Sequence, residues 1–330
     1  MKKRVFLAIA VTIAFIFCGC RRAAQPQNNV GKVFGTYFSI KYTAPENYGA
    51  EFDSLFTVVN KSLSTFDTSS VISRINRSDT AVIVDYHFAT VCEDALYVSR
   101  ATDGAFDMTV APLVNLWGFG YDPSDTATLK TQAEIDSIKQ FVGYDKISLE
   151  GGRFYKSDPR IKLDASAIAK GYACDLVGDF LDSRSVENYL VDIGGEMVAH
   201  GVNSAGVPWR VGIVSPVDDA SQLNTDVESI ISLDNRALAT SGNYRQFYIT
   251  KERKVSHTID PVTGYPTNHK LLSASVLANT CAIADAYATS FMVIGDTARI
   301  RDIIKASKYD LEAVLIVDSA GHHKQIIMAN

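Results

Sequence analysis

Apolar and polar positions alternate along Lys32-Val33-Phe34-Gly35-Thr36-Tyr37-Phe38-Ser39-Ile40-Lys41-Tyr42, and that period of two predicts a first strand. The spacing changes at Glu51 to Leu63, where Phe52, Leu55, Phe56, Val59 and Leu63 recur at helical intervals. The Ser/Thr/Asp-rich stretch Ser64 to Ser70 follows as a loop. Further helices are predicted over Ala89 to Thr102, with Gly104 near its end, and over Thr131 to Val142, bounded by Gly143. Others follow at Ala165 to Ser183, Thr280 to Ile294 and Thr297 to Ala306. Strands are predicted at Ile147 to Leu149, Asn188 to Ile193, Trp209 to Val214 and Ser229 to Asp234. Four more are expected at Ala237 to Thr240, Gln246 to Ile249, Ser273 to Leu277 and Ala313 to Val317. Strands and helices mix without strict alternation, which favours an α+β fold over a doubly wound parallel sheet. No internal repeat and no linker after residue 30 appears, so residues 31–330 read as one catalytic unit of one lobe or two.

The N-terminus breaks this pattern. Met1-Lys2-Lys3-Arg4 is basic, Val5 to Phe17 is apolar, and Cys18-Gly19-Cys20 closes the run, which is the layout of a secretory signal over residues 1–19. The apolar run falls short of the roughly 20 residues that a spanning helix needs. Phe17-Cys18-Gly19-Cys20 resembles a bacterial lipobox, with Cys20 the lipidated first residue of the mature chain and Phe17 where Leu is usual. Residues 20–30, polar and aperiodic through Gln25-Pro26-Gln27-Asn28-Asn29, read as a flexible tether. The expected location is exported and lipid-anchored, on the inner membrane facing the periplasm.

Composition adds mainly exclusions. With 47% hydrophobic and 21% charged residues the chain is ordinary for a globular domain. A net charge of −5 and the lack of a basic stripe interleaved with aromatics argue against nucleic-acid binding. Cys92, Cys174 and Cys281 remain once the leader is set aside, too few and too widely spaced for a disulfide framework or a zinc site, so they read as buried thiols.

Three segments could carry chemistry. Cys281 to Ser290 places Asp285 and Thr289 four apart, hence on one helix face, an oxygen pair that suits a hard cation such as Mg²⁺. On spacing alone such a pair is more often a cap and a back-bonded threonine. Ser256 to Pro266 sets His257 at a strand end entering a turn forced by Asp260-Pro261 and Gly264-Tyr265-Pro266, where histidine can act as a general base; lone histidines are more often structural. Ile161 to Asp175 runs from an extended segment into a small-residue helix. Asp164 could cap it and Lys170 could meet an anion, although the glycine pattern of a P-loop is absent and tight packing is the bland alternative. Glycine-bearing stretches at Leu116 to Gly120, Asp192 to Glu196 and Thr240 to Tyr244 allow close backbone approach to a ligand, but none is diagnostic.

In order, these segments together with Phe34-Gly35-Thr36, Leu63 to Asp67, Gly104-Ala105-Phe106-Asp107 and Pro112 to Gly120 resemble the ApbE family of flavin transferases from about Val33 to Gly295. The resemblance implies an ApbE-like α+β fold of mixed, mostly antiparallel sheets with packed helices. It implies an enzyme that moves FMN from FAD to a threonine hydroxyl of a partner protein through a phosphoester bond, releasing AMP. By it, Phe34, Phe66, Ala105, Phe106, Asp107, Asp164, Lys170 and Ile259 would hold FAD, with Phe34 where Met is frequent. Mg²⁺ would lie between Asp285, Thr289 and backbone near Ala167 and Ala288, and His257 would be the base. Implied partners are exported or membrane-embedded redox subunits of the sodium-pumping NADH:quinone oxidoreductase and Rnf type. Two other readings use the same residues: a periplasmic FAD pyrophosphatase, and a flavin-scavenging lipoprotein.

Overall fold

The computed structural model describes residues 23–122, 129–218, 226–244, 246–250 and 254–330. The expected leader and Cys20 lie outside them. The chain opens with β1 (Gln25–Val33) and β2 (Thr36–Ala44), a hairpin in full antiparallel register from Gln25↔Ala44 to Val33↔Thr36. The single strand expected across Lys32 to Tyr42 is thus two strands folded at Phe34-Gly35. Both turn residues have positive φ, 50° and 75°, as the tight two-residue hairpin turn that matches strand twist demands.

The expected tether is also shorter than residues 20–30, because Gln25 to Val30 belong to β1. Polar side chains hold this edge strand: Asn29 Oδ1 accepts the Tyr42 hydroxyl at 3.0 Å, and Asn29 and Asn47 exchange amide hydrogen bonds at 3.0 and 3.2 Å. Hydrophobic periodicity cannot find a strand held by amide side chains.

Helices α1 (Gly49–Leu63) and α2 (Val71–Arg77) come next, α1 burying Phe52, Phe56, Val59 and Leu63 as its spacing predicts. The short β3 (Val82–Ile83) leads to α3 (Tyr86–Ala101), α4 (Ala111–Leu116) and α5 (Gln132–Lys139), and then to β4 (Ile147–Glu150) and β5 (Arg153–Lys156). Helix α6 (Ala169–Ser183) precedes β6 (Tyr189–Ile193), β7 (Glu196–His200), β8 (Trp209–Val214), β9 (Val227–Leu233) and β10 (Ala237–Gly242). The hairpin β11 (Phe247–Ile249) and β12 (Lys254–Ser256) is followed by β13 (Leu271–Ala278), α7 (Cys281–Ile294), α8 (Thr297–Ala306), β14 (Glu312–Ser319) and β15 (His322–Ala329).

The main sheet has eight strands in the order β1-β2-β6-β7-β10-β13-β14-β15, every neighbouring pair antiparallel. Helices α6 and α7 lie against it and against each other, α7 on β10 and β13 and α6 on β6 and β7, with α1 packed on α6. The β8–β9 ribbon covers part of the other face, where Val211 packs with Leu238 and Leu277, and Ile213 with Val314 and Ile316. Central strand β13 is therefore covered on both sides, and seven of its eight residues are buried, Ser273 and Ser275 among them. Beside the main core stands a smaller one of Leu113, Trp117, Ile135, Val142, Val255 and Ile259. The Trp117 indole N–H donates to the Gly264 carbonyl at 2.9 Å and joins α4 to the loop after β12. Among the described residues no helix is long and apolar enough to cross a membrane.

Candidate functional site

A cavity of about 270 Å³ opens where the two cores meet. That is just below the roughly 300–1,000 Å³ typical of ligand pockets. Ala105, Phe106 and Asp107 form one wall, Asp164, Ala167 and Lys170 another, and His257, Ile259 and Thr289 close it. Nine residues singled out from sequence, spread over some 185 positions, converge here. Phe34 and Phe66 do not line it. Phe34 sits at the β1–β2 turn with its ring edge-on to Phe56 at 5.7 Å, and Phe66 is 82% exposed on the loop after α1.

Each wall has a local cause. Asp107 accepts the Thr109 N–H at 2.8 Å and its hydroxyl at 2.7 Å; burial, opposed by those bonds, pushes its carboxyl up to about 6. The Asp164 N–H donates to the Met108 carbonyl at 2.8 Å and ties the two walls together, while its carboxylate accepts the Ser166 N–H at 2.7 Å. Desolvation at the cavity wall raises Asp164 as well. This carboxylate therefore caps the Ser166 turn, and α6 begins only at Ala169, later than the Ala165 start expected from sequence.

His257 follows β12 directly and enters a loop braced by Asp260. The Asp260 carboxylate accepts the Val262 N–H at 2.9 Å and the Thr263 hydroxyl at 2.8 Å, and Gly264 takes a φ of 81°. The Nδ1 of His257 lies 3.0 Å from the Gln246 carbonyl oxygen. A carbonyl can only accept, so Nδ1 carries the proton and Nε2 is left with its lone pair free. Burial and the charge of Lys170 hold the imidazole below its ordinary range, against the opposing effect of the Gln246 carbonyl.

Asp285 and Thr289 stand one turn apart on α7, Thr289 on the cavity and Asp285 buried behind it. Ala288, also buried, precedes Thr289. The hydroxyls of Thr289 and Ser241 are 3.1 Å apart. Asp285 accepts the Gly171 N–H at 3.2 Å and shares the field of Lys170. Lys170 makes a 2.6 Å ion pair with Glu196, and the two carboxylates around it hold its ammonium charged in spite of burial. Helix α7 is fixed at its start by Asp175 of α6, which accepts the N–H groups of Cys281 and Ala282 at 2.6 and 2.8 Å.

Residues 34–315 match the model of the ApbE family. The chain belongs to that family. It is 35% identical over 326 residues to an FAD:protein FMN transferase of Vibrio cholerae, covering 96% of this chain and 95% of that one. It is 31% identical over 301 residues to the Escherichia coli K12 protein of the same name, covering 86% and 84%. Among solved structures, the flavin transferase ApbE from Vibrio cholerae superposes with a TM-score of 0.80 at 35% identity, covering 92% of this chain and 97% of that one. The apo flavinyl transferase ApbE of Pseudomonas stutzeri does so with a TM-score of 0.82 at 28% identity, covering 92% and 95%. The α+β architecture expected from the mixed pattern is thus that of ApbE proteins.

The donor set gathered at this cavity is of the kind that suits a hard divalent cation. No group of three or more His, Cys, Asp or Glu side chains among the described residues is arranged to hold a metal alone. Mg²⁺ asks for less, typically one or two carboxylates with substrate phosphate and water completing its shell. Asp285 and the Thr289 hydroxyl supply oxygens on one helix face, and Ala167 lines the same cavity as Thr289. The buried Glu196 Oε2 has no hydrogen-bond partner among the described residues, an acceptor oxygen left open beside the Lys170 ion pair.

Sequence reasoning passed over several residues of this site. Glu196, Ser241 and Phe119 sit in glycine-bearing stretches, and nothing in their local pattern distinguishes them from ordinary turn neighbours. Asp175 looks like a surface carboxylate of an amphipathic helix; only the approach of α7 makes it a cap. The three cysteines are buried and unpaired, as expected.

Proposed function

We propose that this protein transfers FMN from FAD to a threonine hydroxyl of a partner protein, with AMP as the leaving product. The observation that carries the reading is His257, whose Nδ1–H is committed to Gln246 so that Nε2 keeps its lone pair, in one cavity with Lys170, Asp107, Asp164 and Thr289. Histidine held neutral near pH 7 is poised to take a hydroxyl proton, which a threonine cannot lose unaided at that pH. Nε2 takes the threonine proton as the oxygen attacks the FMN phosphorus. The new P–O bond forms as the pyrophosphate bond to AMP breaks, and the bonding pair leaves with the AMP phosphate. Lys170, kept charged by Glu196 and Asp285, faces the dianionic pyrophosphate, while Phe106 and Ile259 offer apolar walls for a ring. When bound by Asp285, Thr289 and the carbonyls of Ala167 and Ala288, Mg²⁺ would neutralise charge on the pyrophosphate oxygens.

The reading extends to location. The basic-apolar-Cys leader supports export and lipidation at Cys20, with membrane-bound redox subunits of the Nqr and Rnf type as the partners within reach. Labelled palmitate incorporated into the wild type and absent from Cys20→Ala is the expected outcome; equal labelling of both would remove the anchor.

The transfer itself is tested by incubating protein lacking residues 1–22 with FAD, Mg²⁺ and a domain bearing a candidate acceptor threonine. Mass spectrometry should find one FMN added to threonine with AMP released, and His257→Asn should abolish the adduct. FMN and AMP without an adduct would make the protein a pyrophosphatase, and FAD retained intact would make it a flavin carrier.

A further inference from the structure

Glu196 is the first residue of β7 and leaves the Gly194-Gly195 turn, where φ is 71° and 103° and Asp192 accepts the Gly195 N–H at 3.0 Å. That turn drives Glu196 inward, where it is 3% exposed. Its Oε1 takes the Lys170 ammonium, whereas Oε2 is buried with no hydrogen-bond partner among the described residues. Asp285 interacts electrostatically with both Glu196 and Lys170. Asp192 also feels Lys170, but Lys41 faces it as well. The innermost cluster thus holds two carboxylates and one ammonium. Burial raises the pKa of both carboxyls against the pull of Lys170, so keeping two ionised carboxylates beside one ammonium is costly, and an added cation relieves that cost.

We propose that Glu196 is a positioning residue of the transfer reaction with two separable effects. One oxygen fixes the Lys170 ammonium at the cavity wall. Its charge leaves the Asp285 cluster net negative until a divalent cation joins it. Lys170 is then the resident counter-ion of the metal-free site, placing ammonium and metal in competition for the field of the same two carboxylates. The inference rests on the cation reading given under Proposed function and adds Glu196 to it.

The two effects come apart in variants. Glu196→Gln keeps an oxygen for Lys170 and removes the charge, so divalent affinity should fall roughly tenfold or more while the KM for FAD at saturating Mg²⁺ stays close to wild type. Glu196→Ala removes both and should impair each. Lys170→Met removes the competing ammonium, and the affinity for divalent cation should rise. Mn²⁺ binding, followed by electron paramagnetic resonance on metal-free protein with and without FAD, reads this independently of turnover. A merely structural ion pair predicts losses of the same sign in both partners, so opposite signs are the signature. Wild-type Mn²⁺ affinity in Glu196→Gln, or weaker binding in Lys170→Met, overturns the proposal. Should Glu196→Gln fail to fold, Lys170→Met decides alone. A wild-type protein that binds no Mn²⁺ in either condition removes the cation reading itself, and this inference with it.

Discussion

Gly171 is the point where α6 and α7 touch backbone to backbone, and replacing it by alanine should disable the site more than it destabilises the fold. A Cβ there would lie 2.3 Å from the Cys281 carbonyl oxygen, 2.6 Å from its carbon and 2.8 Å from the Ala282 nitrogen. Ordinary contact begins near 3.4 Å, so the helices must part by about 1 Å. Overpacking of that kind costs about 1–3 kcal/mol, and alanine returns about 1 kcal/mol of helix propensity, leaving a net loss of about 0–2 kcal/mol. The chemistry is hit harder. The Gly171 N–H bond to Asp285, already 3.2 Å long, would open past 4 Å, and Lys170 next to it would move relative to Thr289. A shift of about 1 Å in a reacting constellation can cost about a hundredfold in rate. Gly178 on the same helix is the control, because the nearest atoms a Cβ there would meet are side-chain atoms, the Tyr189 hydroxyl at 3.3 Å and a Val198 methyl at 3.4 Å, which need give by no more than a few tenths of an ångström. Thermal denaturation and initial rates of FMN transfer should therefore show Gly171→Ala melting within several degrees of wild type but nearly inactive, with Gly178→Ala close to wild type in both. Full activity in Gly171→Ala would refute the claim that this contact sets the register of Asp285 against Lys170.

His257 must be neutral to accept a proton and its pKa is lowered, so kcat/KM should fall only when pH drops below the ordinary imidazole range, and Lys170→Gln should move that acid limb upward. A pH–rate profile checks it; an acid limb unmoved by loss of the Lys170 charge would contradict the assignment. Burial raises Asp175 from 3.8 to about 7, against the pull of its two N–H bonds. A carboxyl raised on folding binds its proton more tightly in the native state, so wild-type stability relative to Asp175→Asn should decline as pH rises from about 4 to about 7. Removing the cap with Asp175→Ala should cost about 1–3 kcal/mol, because two buried N–H groups lose their acceptor; denaturant melts read both effects.

What could be read from the sequence divides by the physics that encodes it. Helices α1, α7 and α8 and the central strands β10, β13 and β14 were legible because one-sided or complete burial writes a period or an apolar run into the chain. Edge elements escaped. Strand β15 opens His322-His323-Lys324-Gln325 and is exposed over most of its length, and β1 is held by asparagine and glutamine side chains. The Phe34-Gly35 turn was read through because phenylalanine is a poor indicator of a position with φ of 50°.

The site shows the same division one level up. Asp107, Asp164, Lys170, His257 and Ile259 could be singled out because motifs set each at or beside the boundary of an element, where a chain meets a cavity, and Thr289 because it stands four residues after Asp285 on one helix face. Glu196, Asp175 and Gly171 act across the interface between α6, α7 and the sheet, and no local pattern encodes an interface. Yet those three decide whether the visible residues work. Gly171 lets the helices touch, Asp175 fixes the start of α7 one turn before Asp285, and Glu196 anchors the ammonium between them. The two groups make different demands on substitution. At His257 a change should remove chemistry and leave the melt alone, whereas at Gly171 or Asp175 a change should move Asp285 against Lys170 and so alter metal binding, rate and stability together.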